Sequence, residues 1–446
     1  MQIDLNHLKS SINKLRDFSI FGKVSQIKGL VIEAKGLSNL AVIGSRCIIH
    51  NKFGEEVLAE TIGIDSKTIK LIPFAEVDGI GVGCLVELVS MQSAVFPHPS
   101  WRGRILNYNG EPIDDKGPIF NGTLPYPLKS QPPSAGKRRK VAGKLDLGIR
   151  SLNTFTTCCY GQRMGIFAGS GVGKSVMMSM ITKYAHTDIK VIGLIGERGR
   201  EVKEFIDEYI GEEGLKNAVI IVATSDETSV ARRQAAYLTL AVAEYFRDQN
   251  KEVLCMIDSI TRFAMAQREI GLSNGEPPTT KGYPPTVFAE LPKLLERAGP
   301  GTETQGNITG LFTVLVEGDD TNEPIADTVR GILDGHIVLE RAIAERGRFP
   351  AMNILKSISR TMPGCNNALE NKIVTIAKRH MSEYENMADL IKLGAYRKGS
   401  NPNVDQAIEY YEPIENFLLQ APHEATSLSE CYQKLAKILN IDITKE

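Results

Sequence analysis

The residues best suited to chemistry stand at Ala168-Gly169-Ser170-Gly171-Val172-Gly173-Lys174-Ser175. Glycines let backbone amides turn inward around an anion, which a chain with Cβ atoms could not do without strain. Lys174 would reach the β- and γ-phosphates of a nucleoside triphosphate, and the Ser175 hydroxyl would ligate Mg²⁺. The expected setting is a strand ending at Gly165-Ile166-Phe167 and a helix opening at Ser175-Val176-Met177-Met178, whose N-terminal dipole adds to the attraction. The common form of the pattern begins with Gly where Ala168 stands; its tolerant form admits Ala.

Such a loop needs a carboxylate to position a hydrated metal. Asp258, at the end of the apolar run Val253-Leu254-Cys255-Met256-Ile257, can supply it. Hydrolysis also needs a group that orients water on the γ-phosphate. Glu197 follows the run Val191–Ile195, at the strand end that faces the ligand crevice in open α/β sheets. Arg198 beside it could neutralise phosphate charge. Spacing alone leaves open that Glu197 is a surface-loop carboxylate.

The 446 residues suggest about three domains. A short amphipathic helix (Leu5, Leu8, Ile12, Leu15) is expected within residues 1–20. It needs either its own domain or a partner to pack on. Short β-rich runs over 21–95, such as Gly29–Glu33, Cys47–Ile49, Thr68–Ile72 and Leu85–Val89, suggest a small barrel or sandwich. Residues 96–150 are rich in Pro and Gly and read as a connector into the core; their basic run Lys137-Arg138-Arg139-Lys140 reads as solvated. From 151 to 365 continuous apolar runs alternate with helical segments, which indicates a parallel sheet covered on both faces. Residues 366–446 turn helical, with Ile373, Ile376, Ala377, His380 and Met381 on one face.

The formal net charge of −1 argues against a dedicated nucleic-acid binder. No stretch reaches the roughly 18–20 apolar residues of a membrane span. The start, Met1-Gln2-Ile3-Asp4, lacks a signal pattern, so the expected location is the cytoplasm. The seven cysteines are odd in number and dispersed, with no CxxC pair, and read as small apolar residues in a reducing compartment.

With loop, Asp258 and Glu197 in place, the chain resembles the hexameric rotary-type ATPases: the catalytic subunits of F- and V-type ATP synthases and the type III secretion ATPases. The resemblance covers nearly the whole chain and implies an N-terminal β-barrel, a RecA-like core and a helical C-terminal domain. Gly196-Glu197-Arg198-Gly199-Arg200-Glu201-Val202 is similar to the family's GER motif, whose Glu marks catalytic subunits. Pro350-Ala351-Met352-Asn353-Ile354-Leu355-Lys356-Ser357-Ile358-Ser359-Arg360 resembles the family signature, with Met352 a conservative departure. It places Arg360 as an arginine finger reaching a neighbour's nucleotide, worth roughly 10³–10⁵ in rate. By the same resemblance Phe349 packs on the adenine ring, and Tyr396 is a second aromatic from the C-terminal domain. Asp258–Gly271, Gly275–Pro278 and Gly282–Phe288 resemble the flagellar and virulence export ATPases. Pro97–Arg104 and Thr156–Cys159 resemble the flagellar branch. The polar, acidic Glu317–Asp327 resembles the loop lining the hexamer's pore.

The resemblance implies Mg²⁺-dependent ATP hydrolysis that energises flagellar type III protein export by a homohexamer. It also implies a stator protein on the N-terminal helix, a coiled-coil stalk in the pore, contact with export substrates and chaperones, and peripheral attachment to a membrane export gate at the inner face of the inner membrane. Alternatives are an injectisome ATPase, a proton-translocating synthase subunit, a termination-factor-type RNA helicase and a non-catalytic scaffold. The near-neutral charge and lack of an aromatic-basic strand surface weigh against the helicase, and Glu197 against the scaffold.

Overall fold

The computed structural model describes residues 18–316 and 323–442. The expected N-terminal helix over 4–16, and residues 317–322 of the expected pore loop, lie outside the described residues.

Six strands close into a barrel in the order β1-β2-β5-β4-β3-β6. They are β1 (Phe21–Lys28), β2 (Val31–Lys35), β3 (Arg46–His50), β4 (Glu56–Ile64), β5 (Thr68–Pro73) and β6 (Leu85–Ser90). The strand period of two sends Ile32 and Ala34, Cys47 and Ile49, Val57 and Ala59, Ile69 and Leu71 into one shared core. Closure removes the unpaired edges that an open sheet of this size would expose. A second apolar cluster, Val31, Ile72 and Phe74 against Val230, Ala231 and Ile270, seats the barrel on the next layer.

That layer is a nine-stranded sheet. Its long path uses β7 (Arg104–Leu106), β8 (Arg163–Ala168), β9 (Ile189–Ile195), β10 (Ala218–Ala223), β11 (Val253–Asp258), β12 (Asn307–Leu315), β13 (Gly335–Leu339) and β14 (Met352–Ser359). The spatial order is β14-β13-β8-β12-β11-β9-β10-β7, and Gly299–Pro300 pairs with β12. Pairings from β13 through β7 are parallel, and edge strand β14 is antiparallel to β13. The apolar runs are continuous because both faces are covered. On β9, Ile192 and Leu194 join Met177, Met180 and Ile181 of helix α1 (Lys174–Tyr184). Val191 and Ile195 instead face Ala235, Leu238 and Val242 of α2 (Ser229–Asp248).

Two details differ from the sequence reading of 96–150. The stretch supplies β7, an edge strand of the core sheet, and buries Trp101, whose Nε1 donates to the Phe120 carbonyl at 2.8 Å. Its basic run is only partly solvated. Arg138 donates to the carbonyls of Pro133 and Glu296, and Arg139 to Asn307 Oδ1 at 3.1 Å. The guanidinium fork can satisfy several carbonyls at once, so these two arginines fasten the chain to the core while Lys137 and Lys140 stay exposed.

The C-terminal region is helical: α3 and α4 of the core (Ile260–Ser273, Pro285–Leu295) and α5 (Pro324–Ile332) precede α6 (Ala368–Lys392), α7 (Pro402–Leu418) and α8 (Leu428–Ile438). In α6 the buried residues are Ile373, Val374, Ala377, His380 and Met381. A capping box of Asn367 and Glu370 starts that helix by satisfying otherwise orphaned amides.

Candidate active site

The loop from Ala168 joins the end of β8 to the first residue of α1. Gly171 and Gly173 have φ of 75° and 89°, a left-handed region that side chains disfavour. The parallel strands β8, β9 and β11 all finish on this side of the sheet. In register Leu194 lies opposite Asp258, so the β9 and β11 ends meet beside the loop.

Lys174 Nζ lies 2.5 Å from Asp258 Oδ1 and 3.4 Å from Glu197 Oε1. The sheet therefore brings together three of the six residues the sequence singled out for catalysis and metal placement. Burial works against the Lys174 ammonium, but the two carboxylates outweigh it and raise its affinity for the proton. Glu197 is raised as well: burial and the charge of Asp258 lift its carboxyl above the usual range, against the pull of Lys174. One cation is shared by two carboxylates, and Glu197 is left with a raised affinity for the proton.

Glu197 is held by its backbone, since Gly196 N donates to Ala223 O and Ser225 N to Glu197 O. A Cβ on Gly196 would lie 2.8 Å from Cβ of Arg262, so only glycine lets the strand end pass. A cavity of about 490 Å³ opens over the loop and Glu197; Ser175, Arg198 and Arg262 also line it. That volume lies in the range of small-molecule sites.

The remaining residues fall into three positions. Phe349, 41% exposed, covers the loop: a Cβ on Gly173 would lie 3.3 Å from its Cδ1. Arg198 stays at the rim with an exposed side chain that pairs with Glu201 at 3.5 Å. Arg360 follows antiparallel β14 and donates its amide to Asp334 O, next to Arg163 at the start of β8. The phosphate loop follows the other end of β8, roughly 16 Å away at 3.3 Å per residue. Arg360 is thus exposed on the side of the sheet opposite its own loop.

Tyr396 lies apart from these residues. It does not line the cavity, and its hydroxyl is committed to Asn401 O and Asp405 Oδ1, both at 3.0 Å, in the α6–α7 turn. The C-terminal segment that does approach Phe349 follows α7: Gln420 N donates to Phe349 O at 2.9 Å, beside the half-exposed Leu419.

Two polar residues escaped the sequence reading. Thr313, inside the apolar β12, donates its hydroxyl to Asp258 Oδ1 at 2.6 Å and so fixes that carboxylate. A hydroxyl within an otherwise apolar run was its only signal. Arg262, one turn after Asp258, has a buried Nε without a hydrogen-bond partner among the described residues, an orphaned donor on the cavity wall.

Comparison with known proteins identifies the family. The ATP synthase alpha/beta family nucleotide-binding domain matches residues 148–359, and that family's beta-barrel domain matches 24–89. The C-terminal domain of the type III secretion ATPase EscN matches 370–437. A flagellum-specific ATP synthase of Caulobacter vibrioides is 57% identical over 98% of this chain and 99% of its own. The assembled ATPase EscN of the enteropathogenic E. coli type III secretion system superposes with a TM-score of 0.88. It is 39% identical, covering 94% of this chain and all of that one. EscN in complex with its central stalk EscO gives a TM-score of 0.86 at 38% identity, with 94% of this chain and 100% of that one covered. The chain belongs to the ATP synthase alpha/beta family, among its flagellum-specific and type III secretion ATPases.

Proposed function

We propose that the chain hydrolyses ATP to energise flagellar type III protein export, as a homohexameric ring with each active site shared between two subunits. The observation that carries this is the convergence of Asp258 and Glu197 on Lys174 beside the cavity while Arg360 stands at the far end of the same sheet. The loop amides and Lys174 grip the β- and γ-phosphates, and the helix dipole of α1 adds to that grip. Glu197 orients the attacking water in line with the γ-phosphate, and Thr313 keeps Asp258 fixed beside it. Phe349 offers a face for the adenine. Arg198 and Arg262, which both line the cavity, border the path of the transferred phosphoryl group, and a neighbour's Arg360 completes the charge balance.

The oxygen donors suit Mg²⁺. Ser175 and Asp258 present a hydroxyl and a carboxylate, and no group of three or more His, Cys, Asp or Glu ligands exists among the described residues. Mg²⁺ characteristically takes one or two protein oxygens and leaves its other positions to phosphates and water. When bound, it neutralises charge on the phosphates.

The higher identity to the flagellum-specific relative than to EscN supports flagellar service over an injectisome. The match of the C-terminal helices to the EscN domain supports export over proton-driven synthesis. No described helix is long and apolar enough to cross a membrane, so attachment to a membrane export gate would be peripheral. A stalk in the pore, a stator on the N-terminal helix, substrates with their chaperones, and a cytoplasmic location complete the reading.

Glu197→Gln is its test. ATP binding should persist while hydrolysis falls roughly 10²–10⁴-fold. Hydrolysis at the unsubstituted rate would remove Glu197 from the mechanism.

A further inference from the structure

Barrel and core meet where Arg46 of β3 and Glu60 of β4 face Arg233 and Gln234 of α2. Arg46, Glu60, Arg233 and Gln234 are 8%, 6%, 4% and 5% exposed, so the charges here are almost wholly withdrawn from water. Beside them opens a cavity of about 360 Å³, which Ser93 and Lys129 also line. It shares no lining residue with the cavity over the phosphate loop. Its size suits a small molecule.

Three cations, Arg46, Lys129 and Arg233, border this cavity against the single carboxylate of Glu60. Two positive charges are therefore in excess. Each Glu60 oxygen is already engaged by a guanidinium, Oε1 by Arg233 at 2.7 Å and Oε2 by Arg46 at 3.3 Å. Glu290, the other acid near Lys129, is matched by Lys293 at 2.8 Å and accepts the Tyr237 hydroxyl at 2.6 Å. The buried Nε of Arg233 has no hydrogen-bond partner among the described residues. Ser93 Oγ accepts from Arg46 Nε and Nη2, at 2.9 and 2.7 Å, which leaves its own proton to donate. Exposed Lys129 stands at the mouth, its ammonium 5.3 Å from the centre of the Tyr237 ring. Burial and the like charge of Arg233 bring Arg46 down to about 10 despite Glu60. Cations buried without a full set of counter-charges are costly, and an anion in the cavity would offset that cost.

We propose that this cavity is a second anion site, which takes a phosphate dianion, free or as the terminal group of a small phosphomonoester, and so fastens barrel to core. Two negative charges match the excess. The several oxygens of a phosphate can accept at once from guanidinium, ammonium and the Ser93 hydroxyl. Ile43 and Met91, both exposed on the rim, offer apolar surface to the organic part of a monoester.

The test follows thermal unfolding of the full chain as inorganic phosphate or glycerol phosphate replaces chloride at constant ionic strength. A slightly alkaline buffer keeps both probes dianionic. A ligand held by the folded state alone raises the melting temperature in a saturable way. The expected result is such a rise with at least one probe, retained in Lys174→Ala, whose phosphate loop has lost its cation. Lys129→Gln should need about tenfold more probe for the same rise, the loss of one charge-assisted hydrogen bond, and Lys129→Glu should show none. Because Lys129 is exposed, neither variant strands a buried group, and both should fold. A rise with inorganic phosphate assigns the free anion; a rise with glycerol phosphate alone assigns a phosphomonoester. A melting temperature indifferent to both probes, a rise lost in Lys174→Ala, or the parental rise in Lys129→Glu would each overturn the proposal. None of these readouts depends on ATP hydrolysis.

Discussion

At the seam between barrel and core, Glu60 lies between two arginines, 2.7 Å from Arg233 and 3.3 Å from Arg46, and Arg46 also donates to Gln234. At the phosphate loop, Lys174 lies between two carboxylates. Both groups are buried, and burial alone would raise each glutamate. At the seam the two cations outweigh burial and hold Glu60 below its ordinary range; at the loop one cation is shared, and Glu197 stays above it. The ratio of cations to carboxylates thus separates a clamp from a reactive site. The seam keeps an excess of cation even with Glu60 ionised, whereas the loop carries an excess carboxylate opposite a cavity.

Substitutions can break this contrast, starting with the largest effect. Arg360→Ala should lower kcat by roughly 10³–10⁵ while ATP binding and the fold persist, because the side chain is exposed and away from its own loop. Steady-state hydrolysis by a preassembled ring measures it. Glu60→Ala should cost about 3–5 kcal/mol in denaturant unfolding, since it strands two buried guanidiniums. It should leave the kcat of the folded fraction near normal. An inactive but stable Glu60→Ala would erase the distinction between clamp and site.

The two glutamates should also part with pH. Glu60 has a depressed carboxyl, so its contribution is fully present above the unfolded value near 4.3 and is lost as pH falls through the lower folded value. Unfolding of Glu60→Gln and the parent should therefore converge only in acid below about pH 4. Glu197 has a raised carboxyl, so its ionised form opposes folding above the unfolded value. Glu197→Gln should then melt at the parent's temperature or slightly higher even as activity collapses, a trade of stability for function. The acid limb of kcat should fall at a pH above the usual carboxylate range, because the protonated carboxyl no longer orients water. The smallest effect expected is that of Thr313→Val, about 1 kcal/mol from one lost hydrogen bond, seen as weaker metal-dependent nucleotide binding.

The legibility of the two regions differs for a physical reason. The loop was readable because its glycines, Lys174 and the acids at strand ends answer to local rules of turn, helix start and strand end. The apolar runs of β9, β10 and β11 likewise announced a sheet covered on both faces. Glu60 and Arg233 carry no such signal; one sits in a barrel strand and the other in α2, and only the docking of two layers joins them. The same cause hid β7 in a stretch rich in proline, and hid the fastening of Arg138 and Arg139. Tyr396 gave no such local signal, and its hydroxyl is taken up by Asn401 and Asp405. Thr313 and Arg262 belong to the site through register alone.

The division of the site between copies is tested most directly by mixing two inactive variants, Lys174→Ala and Arg360→Ala, dissociated and reassembled together. In a ring of repeating head-to-tail contacts, roughly a quarter of the interfaces would pair an intact loop with an intact neighbouring finger. The mixture should regain a clear fraction of parental ATP hydrolysis although each variant alone has almost none. Activity in the mixture no higher than in the separate variants would contradict a site shared between subunits.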